Sequence, residues 1–125
     1  MHKIKKVFVV DDEPDICLTL TEVLEGNGFV VYVFDDPLFA LENFRKGLYD
    51  VLILDIKMQK MNGLELYREI KKIDSRAKVC FLTAGEFNYG SFIDVFSVLK
   101  ENQFIQKPNG NEELIKIVNE ITDSN

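Results

Sequence analysis

The sequence is poor in the residues that most catalytic and metal chemistries use. It holds a single histidine, His2, at the extreme N-terminus, and two cysteines, Cys17 and Cys80, each inside an apolar pattern and with no C-x-x-C pair. This scarcity argues against a zinc site and against a cysteine–histidine nucleophile pair, and reads instead as two buried free thiols in a reducing compartment. No apolar run approaches the length of a membrane-crossing helix, and the N-terminus lacks the apolar core of a signal peptide. A cytoplasmic location without membrane insertion is therefore expected. Basic residues are outnumbered, with 15 lysines and arginines against 21 acids for a net charge of −6. The one basic cluster, Lys3, Lys5 and Lys6, precedes the first apolar run and reads as a solvated strand start. Direct nucleic-acid binding is not expected, because contact with a phosphate backbone requires a basic face.

What remains is a chain of 125 residues, 46% of them hydrophobic, without low-complexity runs. That is the length of one domain whose core needs neither disulfide nor structural metal. Apolar runs at Lys6 to Val10, Phe29 to Phe34, Val51 to Leu54, Val79 to Leu82 and Phe104 to Gln106 read as strands, those apolar throughout as strands covered on both faces. Amphipathic segments alternate with them. After Pro14, Ile16, Leu20, Val23 and Leu24 keep helical spacing until Gly26 to Gly28 stops them. Asp36-Pro37 supplies an N-cap and first turn before Leu38, Leu41 and Phe44, and Asn62-Gly63 a turn before Leu64, Tyr67, Ile70 and Ile73. A fourth helix is predicted from about Ser91 to Lys100, and a fifth, capped by Asn111, carries Leu114, Ile117, Val118 and Ile121. Strands alternating with helices in this way predict an α/β fold with a parallel sheet and right-handed crossovers.

Open parallel sheets bind ligands beyond the carboxyl ends of their strands. Asp11 and Asp12 follow the first strand, Asp55 the third, Thr83 and Ala84 the fourth, and Lys107 and Pro108 the fifth. Singly, each has an ordinary explanation as a helix cap or turn residue. Together they would put three carboxylates, a hydroxyl and an ammonium on one rim. Three carboxylates favour a divalent cation, and a few hard oxygen ligands with room for water suit Mg²⁺. The hydroxyl and the ammonium would hold phosphoryl oxygens. This is equipment for phosphoryl transfer, and Asp55, central in the set, is the group able to accept the phosphoryl covalently.

Val10-Asp11-Asp12-Glu13-Pro14, Leu52 to Met58 with Met61-Asn62-Gly63, Leu82-Thr83-Ala84 and Lys107-Pro108 resemble the receiver (CheY-like) domains of two-component response regulators, over essentially the whole chain. The resemblance implies a flavodoxin-like fold, a five-stranded parallel sheet of order 2-1-3-4-5 flanked by five helices, with residues 1–125 forming a single receiver domain and no output domain in this chain. It implies that Asp55 takes a phosphoryl group from a sensor histidine kinase or phosphotransfer protein. Asp11 and Asp12 match the acid pair that holds Mg²⁺, with Glu13 in a less direct role and the Lys57 backbone carbonyl completing the site. Thr83 matches the switch hydroxyl, Lys107 the lysine that pairs with the phosphoryl group, and Phe104 an aromatic switch. The Lys107-Pro108 bond would be cis. The domain would be a phosphoacceptor that assists its own phosphotransfer and dephosphorylation rather than an enzyme. Its output would run through the face of helix four, strand five and helix five, to a downstream protein or a second copy.

The sequence also departs from that pattern. Gln59 stands where relatives usually carry proline, which predicts a less stiff loop after Asp55. Phe104 lacks the hydroxyl of the commoner tyrosine. Lys57 either adds a cation beside the acceptor or is a solvated lysine whose backbone alone matters. Val95 and Val98 lie outside the stripe of Phe92, Ile93, Phe96 and Leu99, so the fourth helix either presents a partner face or sinks deeper into the core. The polar tail "TDSN" fits a stand-alone receiver or one cut from a larger regulator. Three other protein classes share parts of this pattern. A haloacid-dehalogenase-type phosphatase needs an acid two residues after its nucleophile, where this chain has Lys57. A flavodoxin needs a phosphate loop where this chain has carboxylates. A degenerate receiver would bind partners without phosphorylation, yet every key residue is present.

Overall fold

The apolar runs pair as parallel strands. In the computed structural model, which describes residues 3–84, 104–107 and 111–123, the elements are β1 (Lys6–Val10), α1 (Pro14–Gly26), β2 (Val30–Phe34), α2 (Pro37–Asn43), β3 (Val51–Asp55), α3 (Gly63–Ile73), β4 (Val79–Ala84), β5 (Phe104–Lys107) and α4 (Asn111–Asp123). The strand order is β2-β1-β3-β4-β5, with every neighbour pair parallel. This is the expected flavodoxin-like sheet, and α4 is the fifth helix of the sequence reading. The helix expected at about Ser91 to Lys100 lies outside the described residues, as does Pro108.

Alternate residues along each strand feed two cores. Val7, Val9, Val51, Ile53, Cys80, Leu82 and Ile105 pack with Leu20 and Leu24 of α1 and Leu114, Ile117 and Val118 of α4. Phe8, Val10, Leu52, Leu54, Val79 and Phe81 pack with Ala40 of α2 and Leu64, Leu66, Tyr67 and Ile70 of α3. A strand covered on both faces cannot alternate apolar with polar, which is why Val7 to Val10 and Val51 to Leu54 are apolar throughout.

Two stripes differ from their expected positions. On α2, Leu38 is 45% exposed, and the inner face is Pro37 and Ala40, with Leu41 and Phe44 partly buried beside them. That spacing of three, four and seven is equally helical, so the pattern alone did not choose between the two stripes. On α3, Ile73 is the terminal residue and stays 41% exposed.

The helix starts are chemically distinct. Asp36 Oδ1 accepts the N–H groups of Leu38 and Phe39 at 2.8 and 3.2 Å. Asn62 Oδ1 accepts the Glu65 N–H at 2.8 Å while Glu65 Oε1 accepts the Asn62 N–H at 3.1 Å, a reciprocal capping box. Glu13 begins α1 through its backbone alone, with Pro14 supplying a pre-set φ in the first turn.

Candidate functional site

The site is made by register. Val10 of β1 stands opposite Leu54 of β3, so the next residues, Asp11 and Asp55, emerge level with each other at the same end of the sheet. Asp11 is 0% exposed and Asp55 is 1% exposed, while Asp12 is half-buried. One carboxylate oxygen from each of Asp11, Asp12 and Asp55 lies within 4.8 Å of the others. Two of the three acids are out of water, where like charges repel strongly. Close hard oxygens, two of them desolvated, are a donor set that fits a small divalent cation such as Mg²⁺.

The remaining expected residues distribute around this cluster. The N–H of Glu13 donates to Asp11 Oδ1 at 2.9 Å, orienting that carboxylate, while the Glu13 side chain is exposed. Lys57 is exposed and lines a groove of about 580 Å³ with Asp12, Ile56, Met58, Gln59, Asn62 and Leu64. Thr83 is buried, next along β4 from Leu82, the neighbour of Asp55 across the sheet. Its hydroxyl faces the Ile105 carbonyl at 3.5 Å. Lys107 ends β5 opposite Ala84, one residue beyond Thr83, so its backbone reaches the same rim. Phe104 is half-buried at the other end of β5 and stacks on Phe81, with ring centroids 5.4 Å apart and planes 23° apart.

Three features of the site escaped the sequence reading. Gly63, read there as a turn residue, is the first residue of α3 and sits against the Asp55 backbone. Its N–H donates to the Ile56 carbonyl at 2.9 Å. The Gln59 N–H donates to Asp12 Oδ2 at 3.1 Å. Lys60 Nζ pairs with Asp36 Oδ2 at 2.5 Å. Only the first had a local signal, since Asn62 followed three residues later by Glu65 is a capping-box pattern that places the helix start. The other two join residues 47 and 24 positions apart.

Fold and rim together define a receiver-type α/β domain with an acidic site at its strand ends. The chain belongs to the family described as the response regulator receiver domain, whose model matches residues 7–119. It is therefore a regulatory domain of two-component signalling. It is 40% identical over 78 residues to the transcriptional regulatory protein CreB of Escherichia coli (strain K12), a match covering 62% of this chain and 34% of CreB. The chain thus spans about a third of the length of that relative. It is 32% identical over 97 residues to sporulation initiation phosphotransferase F of Bacillus subtilis (strain 168), covering 78% of this chain and 74% of the relative. Among solved structures, a response regulator receiver domain protein from Clostridium thermocellum superposes with a TM-score of 0.77 at 29% identity, covering 96% of this chain and 95% of that one.

Proposed function

We propose that this chain is a phosphorylation-dependent switch in which Asp55 accepts a phosphoryl group from the phosphohistidine of a sensor kinase or phosphotransfer protein. The observation that carries the reading is the convergence of Asp11, Asp12 and Asp55, with one carboxylate oxygen of each inside a 4.8 Å set. A carboxylate oxygen of Asp55 forms the new O–P bond as the N–P bond of the phosphohistidine breaks, and the imidazole leaves with the electron pair and takes up a proton. Asp11, Asp12 and Asp55, with the Lys57 carbonyl, would hold Mg²⁺. When bound, Mg²⁺ supplies the charge neutralisation that lets a dianionic group approach a carboxylate. Thr83 and Lys107 are assigned to the phosphoryl oxygens.

The switch follows from the added charge. Thr83 moves from the Ile105 carbonyl toward the phosphoryl group, and Phe104 turns further inward into the space it leaves. The face of the expected fourth helix, β5 and α4 then gains or loses a downstream protein or a second copy. The acidic balance of the chain supports an output through protein contact, in the cytoplasm where the kinase presents its phosphohistidine.

The test is to incubate the protein with a small phosphodonor and Mg²⁺ and weigh it. A single phosphoryl addition, absent in Asp55→Asn and absent when Mg²⁺ is chelated, is expected. No addition with Mg²⁺ binding intact would leave a receiver that binds partners without phosphorylation.

A further inference from the structure

The loop between β3 and α3 is strapped to two neighbouring strand ends by consecutive residues. The Gln59 N–H reaches Asp12 Oδ2 at 3.1 Å, just past the end of β1. Lys60 Nζ reaches Asp36 Oδ2 at 2.5 Å, and Asp36 follows β2 and caps α2. Lys60 has φ of 70°, in the left-handed region that residues other than glycine seldom adopt. The turn around it is closed by the Met61 N–H on the Gln59 carbonyl at 2.8 Å. A conformation of this kind persists only where its surroundings hold it. The surroundings here are the two straps. The Lys60 ammonium, followed by the Phe39 N–H, holds the Asp36 carboxyl below the ordinary value of 3.8.

We infer that the Gln59 N–H is a positioning group for the metal site. It occupies Oδ2 of Asp12, fixes the rotation of that carboxylate and leaves Oδ1 for a divalent cation shared with Asp11 and Asp55. The inference rests on the reading of that cluster as an Mg²⁺ site. A ligating carboxylate whose outer oxygen is held loses less freedom when the cation binds, and losing such a partner typically costs about 10–100-fold in metal affinity. The donor is a backbone group, so the identity of the side chain at 59 is immaterial unless it removes the N–H. Proline is the one standard residue that does.

The test is an Mg²⁺ titration of unphosphorylated protein followed by NMR, on wild type, Gln59→Ala and Gln59→Pro, with amide exchange measured on metal-free wild type. Gln59→Ala keeps the donor and should bind Mg²⁺ like wild type. Gln59→Pro should bind about tenfold more weakly. The Gln59 amide should exchange more slowly than a free loop amide and lose that protection in Asp12→Ala. A Gln59 amide that exchanges freely in wild type overturns the inference even if the proline variant does not fold. Equal Mg²⁺ affinity in wild type and Gln59→Pro overturns it too, with the metal site left standing. Mg²⁺ binding that survives both Asp12→Ala and Asp55→Ala overturns the metal reading itself and the inference with it.

Discussion

Gly63 and Asp55 approach so closely that a β-carbon at position 63 would stand 2.2 Å from the Asp55 carbonyl oxygen and 2.8 Å from its carbonyl carbon. Those atoms are backbone at the end of β3 and cannot rotate away. Gly63→Ala should therefore cost stability toward the upper end of the roughly 1–3 kcal/mol typical of overpacking, and displace Asp55 as it does so. Urea unfolding checks the first effect, and phosphoryl addition from a small phosphodonor, reduced well below wild type, checks the second.

Metal removal tests the cluster from the stability side. A cation that binds only the folded chain stabilises it by about 2.7 kcal/mol at a hundred times its dissociation constant. Mg²⁺ should raise the urea midpoint of wild type, and a chelator should return it. Asp11→Asn, which keeps the shape but removes one buried charge, should shrink the Mg²⁺-dependent rise. An equal rise in the variant would remove Asp11 from the site.

The stack of Phe104 on Phe81 predicts a measurable coupling. Phe81 is fully buried and Phe104 half-buried, so both report on folding. A double-mutant cycle through Phe81→Leu and Phe104→Leu should return a coupling of about 0.5–1.5 kcal/mol. If Phe104 also serves as the switch, Phe104→Ala should blunt the dependence of partner affinity on phosphorylation. Unchanged affinity and unchanged dependence would leave the ring a packing residue only.

Asp50 gives a pH dependence with a definite sign. Its carboxylate accepts the Lys6 N–H at 2.7 Å and the Lys3 ammonium at 2.9 Å. Burial alone would raise its pKa, but the Lys3 ammonium and the Lys6 N–H outweigh it and hold the group below the ordinary 3.8. A folded value below the unfolded one means stability that is fully present above the unfolded pKa and lost as pH falls through the folded one. Asp50→Asn should be less stable than wild type at about pH 6, and the gap should narrow as pH falls below the ordinary carboxylate value. A gap independent of pH would assign the effect to shape rather than charge.

Much of this fold was legible because its signals are local. Val7 to Val10 and Val51 to Leu54 are apolar without interruption, as suits strands covered on both faces, although the edge strand β2 is equally apolar and leaves Val30 and Val33 exposed. Asp36-Pro37 announced a helix start by cap chemistry, and Asp36 does cap α2. The stripe of α2 was misread at Leu38 because two helical faces in that segment are apolar, and only the position of the sheet selects Pro37 and Ala40. The Gln59 N–H bond to Asp12 left no trace in the sequence, since a backbone donor has no side-chain signature and its acceptor lies 47 residues away.

The sequence by itself determined which chemical groups end each strand: Asp11 and Asp12, Asp55, Thr83, and Lys107. Each follows its own apolar run, so no long-range information is needed to list them. The tertiary structure decided that the three acids meet. The order β2-β1-β3-β4-β5 sets β1 beside β3 although α1, β2 and α2 lie between them in the chain. The pairing of Val10 with Leu54 then brings Asp11 level with Asp55. Hydrogen-bond register and the burial of both sheet faces impose that alignment, and a slip of one residue would turn every inward side chain of β1 to the wrong core.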